Sequence, residues 1–159
     1  MKSLITRILV PTDFSRPSEP ALDYAHDLAQ QFGASLHLLH VVNRPLLAEG
    51  LAAEAYMSEK FESDIVRGTE ARLRKLAPDA ASTDVVFGYP ARAIVDWASR
   101  LGADLIVMGS HGRTGIAHLM LGSVAEGVVR TAQCPVLTVR QPLNSRRMLS
   151  EHEAMQVTD

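Results

Sequence analysis

A run of glycines between residues 109 and 122 is the stretch whose spacing points most clearly to chemistry. It consists of Gly109-Ser-His-Gly112-Arg-Thr-Gly115 and, further on, Gly122-Ser123. The run follows an apolar, strand-like segment at residues 104–108 and precedes a helical pattern that begins near Ser123. Glycine lets backbone N–H groups approach a ligand closely, and a helix N-terminus adds partial positive charge. The segment therefore suits a phosphate group, and glycines that only form tight turns are the alternative.

Several familiar nucleotide and catalytic signatures are missing. No G-x-x-x-x-G-K-[ST] places a lysine against β and γ phosphates, and no G-x-G-x-x-G follows the first strand. A receiver domain needs an acidic cluster and a lysine after the fifth strand, whereas Asp13 stands alone and Arg140-Gln141 follows that strand. No G-x-S-x-G elbow marks a nucleophilic serine. Ser123 is therefore interpreted as a helix cap or a phosphate ligand.

Histidine spacing argues against a metal site. His37 and His40 would point to opposite faces of one strand, and neither has another ligand at a suitable spacing. We expect both to be ordinary core or surface histidines. His111 lies among the glycines and either contacts a ligand or is simply exposed. The single cysteine, Cys134, is expected to be a buried, inert thiol.

The composition favours one soluble, cytoplasmic domain. The chain has 159 residues, of which 47% are hydrophobic, enough for one sizeable core but not for two ordinary domains. A net charge of −2 with scattered basic residues disfavours nucleic-acid binding. No apolar run approaches the roughly 20 residues that span a bilayer, and polar residues soon follow Val10, so no membrane span or signal peptide is expected.

Apolar periodicity predicts strands that alternate with helices. Apolar runs of strand length lie at residues 4–11, 35–42, 83–87, 105–108 and 135–139. Helical spacing of apolar residues predicts four helices. The first begins at a cap, Ser18, and ends at Gly33, and the second covers about residues 57–76. The third covers residues 91–101 and ends at Gly102, and the fourth runs from Ser123 to about Thr131. Arg72, Arg74 and Lys75 are expected on the solvated side of the second helix.

This alternation predicts a doubly wound α/β domain with a five-stranded parallel sheet and helices on both faces. If the strand order is 3-2-1-4-5, ligands bind beyond the C-terminal ends of the strands, where the order reverses. Asp13 would then face Gly109 to Gly115 across a crevice. The domain is predicted to comprise residues 1–140. Residues 141–159 are predicted to be a mobile tail or, alternatively, a short helix that docks on a partner.

The order of these residues resembles the universal stress protein family over residues 4–140. Four segments carry the resemblance: Ile8-Leu-Val-Pro-Thr-Asp13-Phe-Ser15, Leu38-Leu-His-Val-Val42, Asp104-Leu-Ile-Val-Met-Gly-Ser-His-Gly112 and Cys134-Pro-Val-Leu-Thr-Val139. The most specific part is the family's nucleotide motif, G-x-x-G-x9-G-[ST], which is filled by Gly109, Gly112, Gly122 and Ser123. Members that carry this motif bind ATP, and members that lack it do not.

The resemblance implies a role for each matching residue. Asp13 would meet the ribose or adenine, and Val41 would form an apolar wall of the adenine pocket. Taken singly, Asp13 is better explained as a turn former and Val41 as a core residue. The residues implied to line the phosphate path or to donate hydrogen bonds to phosphate are Gly109, Gly112, Arg113, Gly122 and Ser123. The flanking positions of the implied site are Pro11, Thr12, Met108 and Val124.

The expected ligand is ATP, optionally with Mg²⁺, and no residue is identified as a general base for water. The fifth strand, Pro135 to Val139, would be a short apolar edge that family members pair with a second copy, so a homodimer is expected. We therefore expect an ATP-binding stress-response regulatory protein with at most slow hydrolysis. Two alternatives stay open: a true nucleotide hydrolase or autokinase that uses Ser123 or Ser110, and an interaction module with a vestigial pocket.

Overall fold

Five parallel strands form the centre of the molecule. The computed structural model describes residues 4–43, 59–111 and 121–140. The strands are β1 (Arg7–Pro11), β2 (Ser35–Val42), β3 (Ser82–Phe87), β4 (Leu105–Gly109) and β5 (Val136–Val139). They pair in the order β3-β2-β1-β4-β5, and every pair is parallel. The predicted sheet and strand order are therefore confirmed, while the predicted tail at residues 141–159 lies outside the described residues.

Helices cover both faces of this sheet. In the described ranges they are α1 (Glu19–Phe32), α2 (Glu59–Leu76), α3 (Pro90–Leu101) and α4 (Ser123–Thr131). Ile8 and Val10 of β1 belong to an apolar cluster with α1 and α2, whereas Leu9 belongs to a cluster with α3 and α4. Successive strand residues point to opposite faces, so a strand covered on both sides must be apolar throughout. None of these helices is long and apolar enough to cross a membrane.

The predicted C-terminal glycines of α1 and α3 are confirmed, whereas the predicted N-terminal cap of α1 differs in detail. Gly33 and Gly102 end α1 and α3 with φ of 63° and 64°, the left-handed conformation that glycine adopts without steric cost. Ser18 stands at the N-cap position of α1, but its side chain makes no capping bond. Its hydroxyl instead donates to the carbonyl of Ser15 at 2.7 Å, within a 3₁₀ turn at Arg16–Ser18.

The start of β1 is tied to the start of β4 by one carboxylate. Asp104 Oδ2 accepts hydrogen bonds from Thr6 N–H at 2.8 Å, Thr6 Oγ1 at 2.7 Å and Arg7 N–H at 2.9 Å. These bonds, those to Thr6 above all, hold the pKa of Asp104 below its usual range. Because Asp104 takes these backbone donors, the strand ladder begins at Arg7, and Leu4, predicted to be in the strand, is 93% exposed.

A second polar network crosses β2 and β3 near their first residues. His37 Nδ1 lies 2.9 Å from Ser82 Oγ, and its Nε2 lies 3.0 Å from Ser35 Oγ. The Ser82 hydroxyl donates to Asp84 Oδ2 at 2.7 Å. Burial lowers the pKa of His37, Asp84 opposes this shift, and the charge of Arg7 adds to it. The neutral imidazole is therefore the form that the fold favours.

Cys134 packs beside the cluster formed with α3 and α4. It is half-buried rather than fully buried, which differs from the expectation. Burial raises the pKa of its thiol, and the charge of Asp104 raises it further. Since the thiolate is the reactive form, the raised pKa agrees with the expected inert thiol.

Replacing Asp104 tests the link between β1 and β4. Asp104→Asn removes the charge that strengthens three hydrogen bonds, so we expect it to lower the free energy of unfolding at pH 7 by about 1–2 kcal/mol. The folded-state pKa is lowered, so this stabilisation is present above the unfolded-state pKa and is lost as the pH falls through the folded-state value. Urea unfolding at pH 7 and pH 3 measures both effects, with the exposed Asp96→Asn as control. Equal stability of the Asp104 and Asp96 variants at pH 7 would contradict the assignment.

His37 predicts a pH dependence of stability. The pKa of His37 is lower in the folded state, so the unfolded chain binds the proton more readily. The free energy of unfolding therefore falls as the pH drops from the unfolded-state pKa of histidine toward the folded-state pKa. We expect the urea midpoint of the wild type to fall more between pH 7.5 and 5.5 than that of His37→Gln. The other histidines contribute equally to both proteins. Identical slopes for the two proteins would show that His37 does not carry this dependence.

Candidate functional site

The chain leaves β1 and β4 toward opposite faces of the sheet, although these strands are neighbours. β1 leads to α1 on one face, and β4 leads to α4 on the other. Ile8 pairs with Leu105, and Leu9 pairs with Ile106. A doubly wound sheet opens a crevice at such a place, beyond the C-terminal ends of its strands. The crevice that the strand order predicts would therefore open beside the loop after β1 and the end of β4.

The loop after β1 is shaped by its own polar side chains. The N–H of Thr12 donates to the carbonyl of Leu39 at 2.9 Å. Thr12 Oγ1 accepts from the N–H of Phe14 at 3.1 Å, and Asp13 Oδ1 accepts from the N–H of Ser15 at 3.0 Å. Side-chain oxygens that accept from the backbone two residues later form tight turns. The turn-forming role considered for Asp13 is therefore present, and Asp13 is half-buried.

Gly109 brings the end of β4 against the loop after β1. A Cβ atom on Gly109 would lie 3.0 Å from the carbonyl oxygen of Pro17 and 3.2 Å from Cα of Ser18. These are backbone atoms, which cannot turn aside as a flexible side chain does, so a larger residue would push the two segments apart. The two turns are neighbours, as the strand order predicted. The need for glycine at this position comes from backbone packing, which the phosphate interpretation did not indicate.

Gly122 lies beside Ser110, the residue that directly follows β4. The N–H of Ser110 donates to the carbonyl of Val139 at 2.8 Å, and the carbonyl of Ser110 accepts from the N–H of Gly122 at 2.8 Å. Ser110 is 2% exposed, and its hydroxyl lies 3.0 Å from Nδ1 of His111. The bond between Ser110 and Gly122 sets the first residues of α4 beside the end of β4.

The N-terminus of α4 differs in two respects from what was expected. Gly122, with φ of −62° and ψ of 152°, occupies the N-cap position, so the interpretation of Ser123 as the cap is wrong. The N–H of Gly122, expected to face phosphate, already donates to Ser110. Helix geometry leaves the N–H groups of Ser123 and Val124 without an acceptor inside the helix, and the helix dipole makes this end partially positive. The Ser123 side chain is exposed.

Three apolar residues of the implied site share one cluster. Met108 is buried in the cluster on the α3 and α4 face, and Val41 and Val124 are partly buried against it. Val41 is the next-to-last paired residue of β2 and lies opposite Val86 of β3. The core role considered for Val41 is thus observed, and its incomplete burial leaves it able to form an apolar wall. Pro11 is the buried last residue of β1.

Two residues of the implied phosphate path, Gly112 and Arg113, lie outside the described residues, and their roles stay predictions. The neighbouring His111 has a buried Nε2 atom without a hydrogen-bond partner in the part of the chain that the structure describes. Over the same ranges, no group of three or more His, Cys, Asp or Glu side chains is placed to hold a metal ion.

His40 contacts the crevice loop, although the sequence suggested only an ordinary histidine. His37 and His40 lie on opposite faces of β2, as expected, because His37 meets Ser82 whereas His40 meets the loop after β1. His40 Nδ1 lies 2.8 Å from the carbonyl oxygen of Thr12. These residues are 28 positions apart, and no short motif joins them. Only the pairing of β1 with β2 brings them together.

Comparisons with known proteins agree with this architecture. A model of the universal stress protein family matches residues 5–140. The universal stress protein MJ0531 of Methanocaldococcus jannaschii is 38% identical over 149 residues, covering 89% of this chain and 85% of the relative. The solved structure of MJ0577, from the same organism, has a TM-score of 0.73 at 30% identity, covering 89% of this chain and 99% of that one. A universal stress protein solved in complex with cAMP has a TM-score of 0.59 at 28% identity, covering 87% and 99% of the two chains. The chain belongs to the universal stress protein family.

Proposed function

We propose that this protein binds ATP in the crevice between the β1 loop and α4 and acts as a stress-response regulatory protein with at most slow ATP hydrolysis. One observation carries the proposal: the backbone bond from Gly122 to Ser110 holds the positive end of α4 at the end of β4. The contact of Gly109 with the turn at Pro17 brings the β1 loop to the same place. The family member that was solved with cAMP supports a nucleotide as the class of ligand.

In this proposal the phosphate chain lies at the N-terminus of α4. The N–H groups of Ser123 and Val124 and the exposed hydroxyl of Ser123 are the donors, because Gly122 uses its own N–H within the protein. Gly112 and Arg113 would complete the phosphate path, a proposal that rests on the spacing of the motif. Charge-assisted bonds of this kind are about twice as strong as bonds between neutral groups.

The nucleoside would lie between the β1 loop and the end of β2. Asp13 would accept hydrogen bonds from ribose hydroxyls or the adenine amine, with the backbone of Pro11 and Thr12 beside it. The apolar wall would consist of Val41, Met108 and Val124. The two valines are half-buried and therefore expose more apolar surface to a ligand than the buried Met108. Small-molecule sites usually combine apolar walls with a few placed polar groups, and this crevice offers both.

Any Mg²⁺ is proposed to arrive with the phosphates rather than to occupy a site built by the protein. Asp13 is the carboxylate beside the crevice, and its Oδ1 already accepts bonds from the N–H and the hydroxyl of Ser15. Holding and orienting a phosphate chain does not by itself activate a water molecule, which needs a base or a metal-bound hydroxide. Nucleotide binding with slow turnover is therefore the behaviour we propose.

An autokinase that uses Ser110 is disfavoured by geometry. The Ser110 side chain is 2% exposed, so its hydroxyl is shielded from an incoming phosphoryl group. Ser123 is exposed and stays a candidate acceptor for that alternative. Incubation with ATP and Mg²⁺, compared with Gly122→Val, separates a binder from an enzyme. Equal product formation by the two proteins would remove the enzyme alternative.

Binding is tested first without added ligand. Freshly purified protein is denatured, and the released small molecules are identified by mass. We expect an adenine nucleotide, and titration calorimetry of the emptied protein with ATP, ADP and AMP then ranks the three. Absence of released nucleotide together with no measurable affinity would favour the interaction module with a vestigial pocket.

Two substitutions at the start of α4 test the placement of phosphate. Ser123→Ala removes one hydrogen bond to a charged group, and we expect ATP affinity to fall about five- to thirtyfold. Gly122→Val is compatible with the backbone, since φ of −62° is open to every residue, so it should fold and weaken ATP binding strongly by filling the phosphate approach. Ser99→Ala, an exposed serine of α3, is the matched control. Unchanged affinity in both α4 variants would refute this site.

We also propose that β5 pairs with its copy in a homodimer. β5 is an edge strand whose Leu137 is 37% exposed, and the two helices that contact it expose Tyr24 (57%) and Val129 (47%). An exposed apolar edge favours strand pairing, and a two-fold axis lets the same strand complete both sheets. Pro135, just before β5, has no N–H to leave unpaired there.

A charged side chain placed on the edge strand β5 tests the proposed dimer. We expect light scattering at micromolar concentration to give twice the chain mass for the wild type and 17.3 kDa for Leu137→Lys. Leu76→Lys, at the end of α2, is the control because it alters a similarly exposed leucine on a helix that packs against β2 and β3. A monomeric wild type, or a dimer that survives Leu137→Lys, would contradict an interface through β5.

A further inference from the structure

Phe14 adopts a backbone conformation that its own side chain disfavours. Within the described ranges it is the one residue other than glycine with a positive φ, at 60°. The left-handed region brings Cβ close to the following carbonyl, so a bulky residue there needs support from its surroundings. Phe14 follows Asp13 directly, and both lie in the turn that borders the crevice. What supports Phe14 therefore also supports the shape of this turn.

The Phe14 ring is held from two other elements. The ring of His40, on β2, has its centroid 4.7 Å from that of Phe14 at an interplanar angle of 36°. The guanidinium of Arg72, on α2, lies 4.0 Å from the centroid of the Phe14 ring. A cation over an aromatic face at this distance is attracted by the ring electrons. These three side chains form the Phe14 stack.

His40 also holds the backbone of the same turn. Its Nδ1 lies 2.8 Å from the carbonyl oxygen of Thr12, and since a carbonyl only accepts, Nδ1 carries the hydrogen. Thr12 Oγ1 in turn accepts from the N–H of Phe14 at 3.1 Å. His40 thus contacts the turn twice, once through its ring and once through its N–H.

We propose that His40 and Arg72 are positioning residues for nucleotide binding. They fix the turn at residues 12–14 in the conformation that directs Thr12 and Asp13 toward the nucleoside. This inference rests on the proposed function. The apparent affinity for a ligand scales with the fraction of protein molecules that are already in the binding-competent conformation. Holding the turn in that conformation before nucleotide arrives therefore raises the apparent affinity. Arg72, expected only to be solvated, therefore connects the exposed side of α2 to the crevice.

The contributions of charge, ring and hydrogen bond can be separated. Arg72→Gln removes the cation and should weaken ATP binding about two- to fivefold. His40→Phe keeps a ring and removes the donor to Thr12, with an expected loss of about two- to tenfold. His40→Asn restores a donor without the ring and should recover part of this loss. Phe14→Gly accepts the left-handed backbone without strain, so a loss of affinity there reports on the stack itself.

Arg74→Gln is the matched control. Arg74 lies on the same helix, is exposed, and forms a surface ion pair with Glu70 at 2.8 Å. It should leave ATP affinity unchanged. Urea midpoints of all variants show whether a loss of affinity is only a loss of global stability.

A second measurement needs no nucleotide. The N–H groups of Phe14 and Ser15 bond to Thr12 Oγ1 and Asp13 Oδ1, so their hydrogen exchange reports on the turn. We expect faster exchange at these two amides in Arg72→Gln and His40→Phe than in Arg74→Gln, with exchange in the central strands unchanged. Exchange and affinity equal to the control would overturn the proposal, and so would faster exchange with unchanged affinity. If the wild type binds no nucleotide, the proposed function fails and the positioning role fails with it. Hydrogen exchange at the amides of Phe14 and Ser15 then still decides whether the Phe14 stack holds the turn.

Discussion

The contact between Gly109 and the turn at Pro17 and Ser18 is the constraint on which the rest of the crevice depends. It places backbone against backbone at a separation at which even a Cβ atom on Gly109 would force the neighbouring backbone to shift. The connections after β1 and β4 leave toward opposite faces of the sheet, and this contact holds the end of β4 against the loop after β1. The bond from Gly122 to Ser110 then adds the start of α4 to the same place. A helix end, a turn with a carboxylate and an apolar wall are thereby assembled from four separate parts of the chain.

Much of the fold could be predicted because its signals are local. Apolar runs without alternation marked β1 and β4, since both faces of those strands are buried. Gly33 and Gly102 marked helix ends because the left-handed conformation strongly favours glycine. The predicted start of β1 was less accurate for a reason that is not local. Asp104 takes the N–H groups of Thr6 and Arg7, and a residue nearly a hundred positions away cannot be seen in the pattern of the strand itself.

The glycine motif marks the place where the β1 loop, the end of β4 and the start of α4 meet, but it did not predict how its residues pack and bond there. Gly109 is required by packing against another loop, and Gly122 uses its N–H within the protein. Ser123 is not a cap because the preceding glycine has taken the N-cap position. His40 and Arg72 gave no signal at all, since a histidine on a strand and an arginine on a helix surface are ordinary in sequence. Their role emerges only when β1 and β2 are paired and α2 is packed over them.

Nucleotide is proposed to bind where the β1 loop, the end of β4 and the start of α4 meet. The most direct test is to titrate the isotope-labelled protein with ATP and to follow the NMR signals of the backbone amides, because these signals report on all parts of the sheet at once. We expect the amide signals of Asp13, Gly109, Ser123 and Val124 to shift, and those around Ser35 and His37 at the opposite end of the sheet to stay in place. Shifts confined to that opposite end, or no shifts at saturating ATP, would contradict this site.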